Sequence, residues 1–253
     1  MAIADDICSC FHAKEIDLPD ALKLLLQVKQ QFNLTGIYYD ELLENIRAKK
    51  LHSEELTNFL SRKIKDYLYS CTGCPLHRAE HHTQKVPGEG CLNSPLVLIG
   101  EGPGFDEDRM GRPFVGRAGQ LLTTILNKLG VNRERVYITN VVKCRPPMNR
   151  TPFVKEIKAC SKNLELELSL INPKVIIALG AVPLNYFMPD SSIMRSRGQW
   201  IFDRGYWIMP TYHPAYILRQ QGKALNKTKW EVWGDFNKAL EKVRELSPDY
   251  KFS

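Results

Sequence analysis

Leu96-Val97-Leu98-Ile99-Gly100-Glu101-Gly102-Pro103-Gly104 reads as a buried parallel strand that ends abruptly in a glycine-rich turn. Four apolar residues in a row are too few for a helix, and Gly100, Gly102, Pro103 and Gly104 stop one from propagating. Glycine lets a backbone approach a ligand closely and adopt positive φ. Glu101 is the only charge in the turn, and it falls at the carboxyl end of the strand. In an open α/β sheet, ligands bind at that end. An ordinary strand-to-loop turn would look the same over this stretch alone, so the flanking sequence decides.

Three further strands follow. Val136–Val142 ends near Asn140 and runs into Lys143-Cys144-Arg145-Pro146-Pro147. Val175–Gly180 is a short continuous apolar run. Trp207–Tyr212 ends at His213-Pro214, and Arg197–Phe202 reads as a short edge strand. Helical spacing separates them. Leu121, Leu122, Ile125, Leu126 and Leu129 form one stripe, stopped by Gly130. Ile157, Cys160, Leu164, Leu168 and Ile171 form another, with Thr151 and Pro152 as N-cap and first-turn proline. A short helix reaches about Phe187, and a final one carries Trp233, Phe236, Leu240 and Val243. The stretch from Phe105 to Gly116 is expected as a long loop. Strands alternating with helices give an α/β fold with a parallel sheet covered on both faces. Glu101, Asn140 and His213 then converge along one sheet edge, although they are far apart in sequence.

Residues 1–70 read differently, as a wholly helical extension. Leu22, Leu25 and Leu26 suggest one helix. Leu42, Leu43 and Ile46 suggest a second. Leu56, Phe59, Leu60, Ile64, Tyr67 and Leu68 mark a third, capped by Ser53. No catalytic motif lies here. A helical cap on the main domain is one reading, and a docking module for a protein partner or DNA is the other.

The chain has 253 residues, is 43% hydrophobic and carries a net charge of +7. Residues 1–70 contribute 9 Lys+Arg against 11 Asp+Glu, and the remaining 26 and 17 give the rest of the chain +9. That basic balance suits a polyanionic partner such as nucleic acid. No apolar run reaches the roughly 20 residues that span a bilayer. The N-terminus lacks the basic and apolar regions of a signal peptide. A cytoplasmic protein with no membrane partner is therefore expected. Seven cysteines in such a compartment argue for a metal or cluster site over a disulfide framework. Cys71-x-x-Cys74, Cys144 and Cys160 could close a tetrahedral zinc site or hold an iron–sulfur cubane. Cys91 is spare, and Cys8 with Cys10 lacks nearby partners.

Taken together these motifs resemble a known family. Cys71-x-x-Cys74-Pro75, Gly100-Glu101-Gly102-Pro103-Gly104 with Glu107-Asp108, and Gly111-Arg112-Pro113-Phe114-Val115-Gly116 come first. Thr139-Asn140-Val141-Val142-Lys143-Cys144-Arg145-Pro146-Pro147, Asn149-Arg150-Thr151-Pro152, Cys160 and His213-Pro214-Ala215-Tyr216-Ile217-Leu218-Arg219 follow. In this order they resemble the family 4, iron–sulfur, uracil-DNA glycosylases across about 71–245. The resemblance implies a three-layer α/β/α sandwich with a four-stranded parallel sheet, the domain occupying 71–253. It implies a [4Fe-4S] cluster on Cys71, Cys74, Cys144 and Cys160, in place of zinc.

The implied reaction flips uracil out of single- or double-stranded DNA and hydrolyses its glycosidic bond, leaving an abasic site. Phe114 would stack on the base, Asn140 would read its N3–H and O4 edge, and the backbone of Gly102 would touch it. His213 would stabilise charge on the departing uracil. Glu101 or Glu107 would support the sugar cation and position water. Lys143, Arg145, Arg150 and Arg219 would contact phosphates, with Ile217 and Leu218 as wedges that fill the vacated stack. The related covalent-trapping glycosylases carry an inserted basic loop with a reactive histidine after the second strand. Here Cys144 to Arg150 runs on without insertion or histidine, which implies turnover. No lysine stands out as a Schiff-base nucleophile, so a monofunctional enzyme is expected, acting as a monomer at the nucleoid. The competing readings are a non-catalytic, cluster-bearing DNA-binding protein on the same fold, and a zinc-binding nucleic-acid module.

Overall fold

A computed structural model describes residues 53–79 and 82–253. The chain divides into two compact units, one ending at Ile64 and the other running from Lys65 to Ser253. The helices expected at Leu22–Leu26 and Leu42–Ile46 lie outside the described residues, as do Cys8 and Cys10. The third expected helix is α1, Ser53–Ser70.

The Lys65–Ser253 unit is built on a six-stranded sheet. In chain order its strands are β1 (Glu89–Gly90), β2 (Leu96–Gly100), β3 (Tyr137–Asn140), β4 (Val175–Leu179), β5 (Ile201–Asp203) and β6 (Tyr206–Thr211). Their spatial order is β1-β3-β2-β4-β6-β5. The inner four are parallel, and these are the four strands expected from sequence. The sheet is nevertheless mixed and wider than expected, because β1 and β5 add antiparallel edges. β5 is the edge strand expected at Arg197–Phe202, shifted to Ile201–Asp203, whereas β1, at two residues, carries too little alternation to be read from sequence.

The helices are α2 (Phe105–Met110), α3 (Arg117–Lys128), α4 (Val154–Ile171), α5 (Ala181–Phe187), α6 (Ile193–Ser196), α7 (Pro214–Leu218) and α8 (Gly222–Leu246). The expected loop from Phe105 thus begins with a helix, which ends at Gly111 in the left-handed conformation. The α4 helix also starts later than expected. Its N-cap is Phe153, whose N–H donates to Glu156 at 2.7 Å, so Thr151 does not cap it.

Strand side chains alternate between two cores, as the period of two requires. Leu96, Leu98, Ile138, Ile177 and Met209 pack with Leu122 and Leu126 of α3 and with Phe236 and Leu240 of α8. Val97, Ile99, Ile176 and Ile208 pack on the other face with Leu164, Leu168 and Ile171 of α4 and Val182 of α5. Because both faces are covered, β2 is buried along its whole length. The result is the expected three-layer arrangement.

β2 is also the switch point of the sheet. The chain passes from β2 to β3 on one side, then crosses to β4 on the other. Strands diverging on either side leave a crevice beyond their carboxyl ends. Register aligns Gly100 with Asn140 and Leu179 with Thr211. Glu101, Asn140 and His213 are thereby delivered to that crevice.

Candidate active site

The crevice is a cleft of about 570 Å³. Glu101, Gly102, Glu107, Phe114, Asn140, Arg150, His213 and Arg219 all line it. These side chains come from five separate stretches of sequence. What brings them together is the sheet register and a set of close approaches.

Gly100 permits one of these. A Cβ at this position would sit 2.4 Å from Asn140 Oδ1 and 2.5 Å from Phe114 Cζ. The asparagine amide and the phenyl ring therefore close over a bare Cα. Asn140 is 2% exposed, and among the described residues no group hydrogen-bonds its amide. The amide lines the cleft, where it can pair with something that enters.

Phe114 is held in a strained conformation, with φ of 53°, and three contacts explain how. Arg133 Nη1 donates to the Phe114 carbonyl at 3.0 Å, and Nη2 donates to the Pro113 carbonyl at 2.6 Å. Glu107 Oε1 accepts from the N–H groups of Val115 and Gly116 at 2.9 and 2.8 Å. Gly119 of α3 lies so close to Phe114 that a Cβ there would meet its carbonyl atoms at 2.0 Å. Arg133 is itself fixed by Glu89, which also pairs with Arg112. Burial tends to raise the Glu89 pKa, but the two arginines outweigh it and hold the carboxylate below its usual range. Strain of this kind persists only where the surroundings over-determine it. Neither Glu89 nor Arg133 stands out in the sequence, because their role exists only once β1 lies beside the turn at Arg133.

His213 has a defined tautomer. It caps α7, and its Nδ1 accepts the Ala215 N–H at 3.1 Å. The ring proton must then sit on Nε2. Burial, with a smaller contribution from the nearby Arg219 charge, lowers the His213 pKa from 6.5 to about 4. The imidazole is therefore a neutral donor at ordinary pH. Its ring lies 5.6 Å from that of Phe114, tilted by 33°.

The two carboxylates differ. Glu107 spends one oxygen holding the Phe114 loop. Glu101 is raised in pKa by burial, against which a Thr151 hydrogen bond and the Arg219 charge both act. The hydroxyl expected to cap a helix instead braces this carboxylate.

Two expected DNA contacts are corrected by burial. Lys143 is 1% exposed. Its Nζ donates to Glu167 Oε2 at 2.6 Å, Thr139 Oγ1 at 2.6 Å and the Asn140 carbonyl at 2.8 Å. It fixes the end of β3 from below and cannot reach a phosphate. Ile217 is 2% exposed and belongs to the core, whereas its neighbour Leu218 is 42% exposed and is the wedge candidate that remains. Arg150 lines the cleft but is bound in a bidentate pair with Glu156 at 2.8 and 2.7 Å. Arg145 and Arg219 keep their expected surface positions. No lysine lines the cleft among the described residues.

The Lys143 arrangement makes a stability prediction. Replacing one partner of a buried ion pair strands the other charge, at a cost of about 3–5 kcal/mol. Lys143→Met should lower the thermal midpoint sharply, and Lys143→Met with Glu167→Leu should recover much of the loss. Unchanged melting of the single variant would show that the pair contributes nothing.

Beyond Lys143 lies a second cavity, lined by Cys71, Cys74, Cys144 and Cys160. Asn163 Nδ2 faces two of the sulfurs, 3.5 Å from Cys160 and 3.8 Å from Cys71. Burial and the neighbouring cysteines push the Cys144 thiol up to about 12. Burial raises Cys74 and Cys160 as well. Among the described residues no three such groups converge as a single-ion site would require. Cys91 lies elsewhere, at the edge of β1.

Comparison with known proteins agrees with this geometry. The model of the Uracil DNA glycosylase superfamily matches residues 87–237. The chain is 45% identical over 197 residues to the type-4 uracil-DNA glycosylase of Thermotoga maritima, which covers 76% of this chain and 97% of that one. It is 44% identical over 166 residues to the type-4 uracil-DNA glycosylase of Sulfurisphaera tokodaii, covering 62% and 74% of the two chains. A third type-4 uracil-DNA glycosylase, from Pyrobaculum aerophilum, is 42% identical over 171 residues, covering 63% and 85%.

Proposed function

The chain belongs to the uracil DNA glycosylase superfamily, and from that premise we propose the reaction its cleft performs. It excises uracil from DNA in base excision repair, as a monofunctional N-glycosyl hydrolase. The observation that carries this reading is the closure of Asn140 and Phe114 over Gly100, with His213 beside them.

A uracil extruded from the stack lies against the Phe114 ring. The Asn140 amide both donates and accepts, so it pairs with uracil O4 and N3–H. Cytosine presents the opposite pattern at that edge and leaves the buried amide unpaired, which is costly. As the glycosidic bond lengthens, negative charge develops on uracil O2 and positive charge on the sugar. The neutral His213 donates to O2 from Nε2, where charge grows most. Glu101 faces the sugar, stabilises its cationic character and orients the attacking water. Glu107 acts through the Phe114 loop and is a positioning residue. Gly102 brings its backbone against the base, and Arg219, Arg145 and Leu218 hold the flanking DNA, with Arg150 shaping the rim. The absence of a cleft lysine among the described residues fits hydrolysis without a lyase step.

Cys71, Cys74, Cys144 and Cys160 would hold a [4Fe-4S] cluster. Four sulfurs spread around a cavity suit a multi-atom cluster better than one zinc ion, which draws its ligands to about 2.3 Å from a point. The Asn163 amide supplies hydrogen bonds of the kind that cluster thiolates accept. Such a cluster would cross-link the Cys71–Cys74 turn, the β3–α4 connection and α4, and every chemical role above belongs to other residues. Residues 71–253 form the glycosylase domain, and 1–70 an extension that caps it or docks a protein partner or DNA. The enzyme is a cytoplasmic monomer associated with the nucleoid. Among the described residues no helix is long and apolar enough to cross a membrane.

The test is uracil release from a labelled single-uracil oligonucleotide by anaerobically purified protein. Absorption near ~400 nm, the region of iron–sulfur charge transfer, is recorded beforehand. Brown protein that yields strand cleavage only after alkali supports the reading. In the same assay Asn140→Ala should lose roughly 10²-fold or more in rate, since a buried recognition pair is removed. Brown protein that binds DNA but releases no uracil would point to a retired enzyme on this fold.

A further inference from the structure

Phe105 has no part in the chemistry above. It opens α2 on the rim of the cleft and lines it, yet 56% of the residue is exposed. A large aromatic side chain left in water beside a ligand cleft marks a contact surface when charge and shape around it suit a partner. Here two guanidinium groups attend the ring. Arg145 Cζ lies 5.1 Å and Arg109 Cζ 6.0 Å from its centroid. Arg145 Nε also donates to Asn149 Oδ1 at 2.7 Å, so Phe105 and the Pro146–Arg150 rim are drawn together on one side of the cleft. Asn149 and Phe105 both face the space into which the uracil must swing.

An exposed ring flanked by basic groups, at the mouth of a pocket that takes an unstacked nucleotide, matches the chemistry of single-strand recognition. Bases stack on aromatic faces without regard to sequence, and cations alongside meet the backbone. We propose that Phe105 is a stacking platform for a nucleobase directly adjacent to the extruded uracil. This rests on the glycosylase reading. It adds a subsite that would grip a neighbouring base as that base loses its stacking partner.

Binding is measured by fluorescence anisotropy, using single-stranded oligonucleotides that carry a hydrolysis-resistant 2′-fluoro deoxyuridine. Each base next to the uracil is replaced in turn by an abasic spacer. The wild-type enzyme should bind roughly tenfold more weakly when one of the two neighbours is missing. Phe105→Ala should lose roughly tenfold on the intact strand and nothing further when that same base is absent. Phe105→Trp should restore both the affinity and its dependence on the neighbour. Wild-type affinity in Phe105→Ala, or a loss that persists unchanged whichever neighbour is removed, would overturn the platform. Uracil release from unmodified strands is followed in parallel. Failure of the glycosylase reading is seen there separately, as wild-type protein that binds but never releases uracil.

Discussion

His213→Ala should lower the single-turnover rate of uracil release by about 10²–10³-fold, the usual effect of removing one preorganised donor to a developing oxyanion. The expectation rests on the fixed tautomer. The Ala215 N–H occupies Nδ1, so Nε2 carries the only ring proton and is the donor proposed for uracil O2. Binding of substrate analogues should change far less than the rate, because the interaction strengthens only as charge develops. The pH profile separates this role from that of an ordinary histidine. Burial, with a lesser effect from Arg219, places the His213 pKa at about 4 instead of 6.5. Its donor function should therefore be constant as pH falls from 8 to about 5. An acid limb centred near 6.5 that disappears in His213→Ala would refute the neutral-donor assignment. Stability follows the same linkage. Between pH 6.5 and about 4 the unfolded chain takes up a proton at this position and the folded chain does not. His213 therefore leaves stability unaffected above pH 6.5 and reduces it progressively as pH falls through that window.

Gly100→Ala should be nearly as damaging, although it adds one methyl group and removes no functional group. The new Cβ would lie 2.4 Å from Asn140 Oδ1 and 2.5 Å from Phe114 Cζ. Neither neighbour has room to retreat. Asn140 ends a buried strand with Lys143 bonded to its carbonyl, and Phe114 is pinned by Arg133, Glu107 and Gly119. The Asn140 amide or the Phe114 ring must move by about an ångström, and displacement of a positioning group on that scale costs on the order of 10²-fold in rate. Overpacking should also cost about 1–3 kcal/mol of stability. Parallel measurement of kcat/KM and of the thermal midpoint tests this. A folded variant with wild-type kcat/KM would show that the close approach at Gly100 is irrelevant to catalysis.

These expectations depend on features of unequal visibility in the sequence. The apolar runs at Leu96–Ile99, Tyr137–Val142, Val175–Leu179 and Trp207–Thr211 fix the four parallel strands, because continuous burial needs continuous hydrophobicity. The edge β5 was legible near Arg197–Phe202 although its bounds shifted to Ile201–Asp203, and β1, at two residues, is too short to leave a pattern. Phe105–Met110 was expected as a loop because glycine and proline precede it, yet six polar and apolar residues between Gly104 and Gly111 suffice for a helix once packing supports it. The family resemblance placed Lys143 and Arg150 within reach of phosphates. Each instead pairs with a carboxylate, Glu167 or Glu156, and sequence spacing gives no sign of a partner 24 residues away in the first case.

The sequence by itself determined the chemistry on offer. It placed a carboxylate, an amide and an imidazole at three strand ends, put an aromatic residue between glycines, and set a C-x-x-C pair and two later cysteines along the chain. Strand periodicity and glycine sterics are local properties, and they can be read locally. Only the tertiary structure decided how each group is used. Neutral His213, anchored Glu107, buried Lys143 and Ile217, and exposed Phe105 all follow from which atoms lie within about 3 Å of each other and how much water remains around them. Those quantities come from register and packing between segments far apart in the chain, and no single segment encodes them.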